Sequence, residues 1–94
     1  MTKADMIKIV AKQIGMDKEV VSTILESLLK SVRQNLSDGR QIYIRGFASF
    51  ILKKRAAKTG RNISNNTSLE ISEHFIPYFK PSKAFKELVK AKMV

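Results

Sequence analysis

Apolar side chains recur at three- and four-residue intervals up to about residue 39 and alternate with polar ones after it, so the chain divides into a helical part and a sheet part. In the first segment Met6, Ile7, Ile9, Val10 and Ile14 keep a broad helical stripe. Thr2 followed three residues later by Asp5 has the form of a capping box, and Gly15 stands where a helix C-cap is wanted. A helix over 3–14 follows. Asp17 offers the N-cap of a second helix over 18–37, in which Val20, Val21, Ile24, Leu25, Leu28, Leu29, Val32 and Leu36 recur until Ser37-Asp38-Gly39 ends the pattern. That stripe is wider than a surface helix needs, so one part of it is expected to face the first helix and another part a second protomer. The first half reads as an αα-hairpin.

From residue 40 the period becomes two. Ile42 and Ile44 share one face of a strand, Arg45-Gly46 makes a turn, and Phe47 to Leu52 form a second strand. A third alternating stretch puts Leu69, Ile71, Phe75, Pro77 and Phe79 on one face, and Pro81-Ser82 opens a last short helix through about Lys90. The expected order is ααβββα, an α+β fold.

Between the second and third strands runs Lys53 to Ser68, cationic, free of acids, and with almost nothing to bury. It cannot offset its ordering entropy by packing on the domain, yet strand-like residues flank it on both sides. The expectation is a projecting β-arm over about 53–75 that an anionic partner orders.

Composition sharpens this picture. The 94 residues suffice for one domain, spanning 1–94, which buries only roughly 60 to 65% of its unfolded surface. With no cysteine there is neither a disulfide nor a thiolate metal site to brace it, as befits a reducing cytosol, so association with a second chain is expected to complete the fold. Eighteen Lys and Arg against eight Asp and Glu leave a net charge of +10, which directs attention to polyanions. No apolar run approaches the ~20 residues of a membrane-spanning helix, and Met1 to Asp5 lack the apolar core of a signal peptide. The acids concentrate in the first half, at Asp5, Asp17, Glu19, Glu26 and Asp38, so the second half carries the excess charge. Its cations form two sets: those of the arm, with no acidic neighbours to pair with, and Lys80, Lys83, Lys86 and Lys90, spaced along the final helix.

Phe47, Phe50 and Phe79 could stack on single-stranded bases, but their alternation with Ile and Leu in mid-strand favours an aromatic core against the second helix. Tyr43 and Tyr78 receive no role. His74, the one histidine, has no second ligand to share a metal with and reads as an exposed strand residue. No carboxylate pair, nucleophile motif or phosphate-binding glycine loop is present, so neither an enzyme nor a cofactor is expected.

Three segments then carry a resemblance that covers the whole chain: Gly46-Phe47-Ala48-Ser49-Phe50, Arg55-Ala56-Ala57-Lys58-Thr59-Gly60-Arg61-Asn62, and Ile76-Pro77-Tyr78-Phe79-Lys80-Pro81-Ser82-Lys83-Ala84. Their sequences and spacing resemble the HU and integration host factor family of bacterial nucleoid proteins, which are architectural minor-groove binders. The resemblance implies an intertwined dimer, in which 1–39 serve dimerisation, 40–81 form a three-stranded antiparallel sheet with the β-ribbon arm, and 82–94 form the short C-terminal helix. It implies minor-groove contact by Lys53, Arg55, Lys58 and Arg61, phosphate contact by Lys3, Lys80, Lys83 and Lys86, and DNA contact by Asn62 as well. Ile63 stands at the arm tip where members usually have the proline that wedges between base pairs, and Ile is among the side chains able to do so. Asn65-Asn66 replace the usual Thr-Gly, and Ala48 and Ser82 replace common glycines.

The expected function is histone-like: binding of double-stranded DNA in the nucleoid with low sequence preference, with bending or condensation. Alternatives are a sequence-selective integration-host-factor-like subunit, working in a heterodimer instead of a homodimer, and an RNA- or acidic-partner-binding protein.

Overall fold

The computed structural model describes residues 1–62 and 67–93, with backbone only at 58–62 and 67–71. Three helices, α1 (Lys3–Ile14), α2 (Lys18–Ser37) and α3 (Lys83–Lys92), frame five strands: β1 (Ile42–Ile44), β2 (Ala48–Arg55), β3 (Lys58–Asn62), β4 (Thr67–Ile71) and β5 (His74–Pro81). The helix starts follow from local chemistry. Thr2 and Asp5 exchange both capping-box bonds, at 2.9 and 3.2 Å, and Gly15 closes α1 at a φ of 66°. Asp17 does precede α2, but its carboxylate makes no cap hydrogen bond.

α1 packs on α2 through Ala11 and Val21, the best-covered residues of the hairpin. The stripe on α2 splits as its width suggested. Val21 and Leu36 are buried, whereas Val20, Ile24 and Leu28 remain 41, 56 and 57% exposed.

The three-stranded antiparallel sheet has the order β1-β2-β5 and lies against the C-terminal part of α2. Its register pairs Ile42 with Phe50, Phe50 with Phe79, and Leu52 with Pro77, which gathers the apolar residues on one face. β1 covers only the Ala48–Phe50 part of β2, and beyond Ile42 a side chain extends the ladder: the Leu52 N–H donates to Oε1 of Gln41 at 3.0 Å.

The expected second strand is present without a break and runs on to Arg55, while the expected arm and the third alternating stretch are each interrupted once. β2 ends at Arg55, paired with His74, and the arm resumes at Lys58, paired with Ile71, as a separate two-stranded sheet of β3 and β4. Ala56-Ala57 on one side and Ser72-Glu73 on the other form the break. None of these four residue types favours a pleated, half-buried surface. Glu73 instead pairs with Lys54 at 2.6 Å, so the expectation that the arm's cations have no acidic neighbours fails for Lys54.

The aromatic core also differs from expectation. Of Phe47, Phe50 and Phe79, only Phe50 shares a hollow with Val32 and Leu36 of α2. Phe47 and Phe79 gather beneath α3 around Phe85, with Phe47 stacked on it at 5.3 Å and Phe79 edge-on at 6.3 Å. The final helix brings an aromatic ring of its own, which the strand pattern alone leaves out of account.

Candidate nucleic-acid interface

Strand alternation sorts the basic residues before any contact is considered. With Ala48, Phe50, Leu52, Phe75, Pro77 and Phe79 on the inner face, the opposite face carries Ser49, Ile51, Lys53 and Arg55 from β2 and His74, Ile76, Tyr78 and Lys80 from β5. Lys53, Arg55 and Lys80 therefore share one exposed side of the sheet, while Lys54 falls on the other. Lys53 is also steered: its Nζ lies 4.7 Å from the centre of the Tyr78 ring, the diagonal neighbour across the ladder.

The final helix joins this surface through its N-cap. Ser82 is the N-cap of α3, its Oγ accepting the Phe85 N–H at 3.1 Å and donating to the Gly46 carbonyl at 3.1 Å. The Ser82 N–H in turn donates to the Phe47 carbonyl at 2.7 Å. The glycine-to-serine exchange thus supplies a cap and a tie.

Gly46 occupies the third position of the β1–β2 turn at a φ of 81°, with Phe47 N–H bonded back to the Ile44 carbonyl at 3.0 Å. A side chain there would be strained by the backbone conformation. The turn leaves Arg45 at its exposed corner. Arg45, Lys80, Lys83 and Lys86 line a single open hollow of about 700 Å³ together with Ser49 and Ser82. Their charges are unopposed by any acid in that lining, a concave cationic surface suited to phosphate. Lys80 lies in β5 and not on the helix, while Lys90, one turn further along α3, lines a separate apolar hollow with Phe79, Phe85 and Val89.

Lys3 is placed differently. Its ammonium pairs with the Glu26 carboxylate, tying the start of α1 to the middle of α2. That hydrogen bond, then the Lys3 charge itself and to a lesser degree Arg33, holds Glu26 below the ordinary carboxylate range against a small opposing effect of desolvation. The side chains of Lys58, Arg61 and Asn62 and the whole of Ile63 lie outside the described residues.

Sequence reasoning missed Arg45, which it read only as half of a turn. It also missed Tyr78 as a support for Lys53. Only the register reveals these neighbours, because they lie more than twenty residues apart along the chain. His74 is exposed, as expected. Among the described residues no group of three His, Cys, Asp or Glu is placed to hold a metal ion, and no helix is long and apolar enough to cross a membrane.

An antiparallel sheet with a paired-strand arm, an αα-hairpin packed against it and a cationic hollow are the features of a DNA-binding architectural fold. The family model for bacterial DNA-binding proteins matches residues 1–90, and the chain belongs to that HU and integration host factor family. Among its relatives, the DNA-binding protein HU of Thermotoga maritima is 41% identical over 96% of this chain and all of the relative. The integration host factor subunit beta of Marinobacter nauticus is 38% identical over 99% of this chain and 96% of the relative. Among solved structures, the HU protein of Anabaena cocrystallised with DNA superposes with a TM-score of 0.89 at 30% identity, covering 95% of this chain and 97% of that one. The HU of Thermotoga maritima gives 0.67 at 31% identity, over 95% and 98% of the two chains.

Proposed function

We propose that this chain is one DNA-binding domain, spanning 1–94, that acts in the bacterial nucleoid as a histone-like architectural protein, gripping duplex DNA through phosphates and lying in its minor groove without catalysing a reaction. The observation that carries the reading is the convergence of Arg45, Lys80, Lys83 and Lys86 on one concave hollow, adjoining a sheet face that bears Lys53 and Arg55. Those side chains answer phosphate spacing and charge, not base edges, which favours low sequence preference. Lys58, Arg61 and Asn62 extend the same contacts along the arm, and Ile63 serves as the wedge that bends the duplex. Lys3 reaches phosphate only by leaving Glu26.

The working unit is a homodimer. Val20, Ile24 and Leu28 on α2, and an open apolar hollow of about 600 Å³ between Val32, Leu36, Phe50 and Phe75, need a second protomer to cover them. One chain carries both the arm and the body surface, so an identical partner completes a two-armed clamp without a second gene product. A competition assay tests the function: unlabelled duplex DNA should displace a labelled duplex at far lower concentration than RNA or heparin. Preferential displacement by RNA would replace this reading with the RNA-binding one.

A further inference from the structure

His74 closes the sheet at the root of the arm, and its ring is anchored: Nδ1 lies 2.8 Å from the Ser72 carbonyl oxygen. A carbonyl has no proton to give, so Nδ1 must be the donor. The neutral ring therefore presents Nε2 as a bare acceptor, which repels a phosphate oxygen as surely as another acceptor would. Only the imidazolium, with a proton taken up from solvent onto Nε2, can donate there.

The surroundings set the sign. His74 stands directly across the ladder from Arg55, on the sheet face that also carries Lys53, Tyr78 and Lys80. Glu73, the neighbouring acid, is engaged with Lys54 and does not serve the imidazole as counter-ion. A DNA phosphate laid against Arg55 would bring a counter-charge beside the imidazolium, so binding and proton uptake are coupled.

We propose that His74 is a proton-linked phosphate contact, making duplex affinity rise as pH falls through the imidazole range. The inference rests on the DNA reading above. It has a clean readout because the chain has one histidine and no cysteine. The experiment compares the full-length protein with His74→Gln and His74→Lys, titrating a labelled intact duplex at about pH 6 and pH 8, the span over which imidazoles change charge. Calorimetry in buffers of different ionisation enthalpy counts protons bound.

The wild-type protein should bind about twofold to fivefold tighter at the lower pH, the scale of an exposed ion pair. It should also take up a fraction of a proton on binding. His74→Gln should lose both effects, and His74→Lys should bind with little pH dependence at the tighter level. Equal wild-type affinity at both values, or a pH response surviving in His74→Gln, overturns the inference while leaving DNA binding intact. Failure of all three proteins to bind duplex at either pH overturns the DNA reading itself, and this inference with it.

Discussion

The hydroxyl of Ser82 donates to the carbonyl of Gly46 across thirty-six residues of chain, so the start of α3 and the β1–β2 turn are held as one unit. The same oxygen caps α3 through the Phe85 N–H. Ser82→Ala should therefore lower stability by about 1 to 2 kcal/mol, a lost cap plus a lost hydrogen bond, as read from the urea midpoint. DNA affinity should fall modestly as well, since this tie sets Arg45 beside Lys80, Lys83 and Lys86. An unchanged midpoint would remove the tie from the account.

Phe85 carries the packing half of the same junction. Its ring stacks on Phe47, with planes 22° apart, and meets Phe79 edge-on. Phe85→Ala should cost about 2 to 3 kcal/mol, below the range for a fully buried phenylalanine because the cluster is only half-covered within one protomer. Thermal unfolding followed by circular dichroism checks this, with loss of helical signal from α3 expected before the main transition.

The Lys3–Glu26 pair gives a pH prediction with a definite sign. A carboxylate held below its ordinary value of 4.5 contributes stability above that value and loses it as pH falls through the lowered one. Glu26→Gln should be less stable than wild type at pH 7, and the difference should close in strong acid. The substitution also frees Lys3, so duplex affinity at neutral pH should rise while stability drops. Parallel losses of both would show that Lys3 is a brace and not a phosphate contact.

Ile63 is tested by the stiffness of the DNA instead of the protein. If it wedges between base pairs, a nicked duplex, which kinks at little cost, should bind much tighter than the intact one, and Ile63→Ala should narrow that gap. Equal affinities would mean a protein that coats DNA without kinking it.

Much of this was legible in the chain because it depends on local chemistry. The α1 capping box, Gly15, the bounds of both long helices and the basic arm are set by neighbours within a turn or two. What escaped depends on register. Nothing in the run from Lys53 to Arg55 says that Lys54 faces away from its neighbours towards Glu73, or that Arg55 meets His74; pairing β2 with β5 decides both. Likewise Phe47 and Phe79 carry strand periodicity that is silent about α3, whose Phe85 claims them. Arg45 joins the cationic hollow only because the Gly46 turn places it beside the start of α3, far along the chain.

The most direct test of the central claim is the salt dependence of duplex binding by the wild-type protein and by a triple variant, Lys80→Ala, Lys83→Ala and Lys86→Ala. Each phosphate contact contributes about 0.9 to the slope of log affinity against log salt, so the wild-type slope should be steep and that of the variant lower by about 2 to 3. Circular dichroism should show the variant folded. A flat wild-type response, or equal slopes for the two proteins, would contradict the assignment of this surface to DNA.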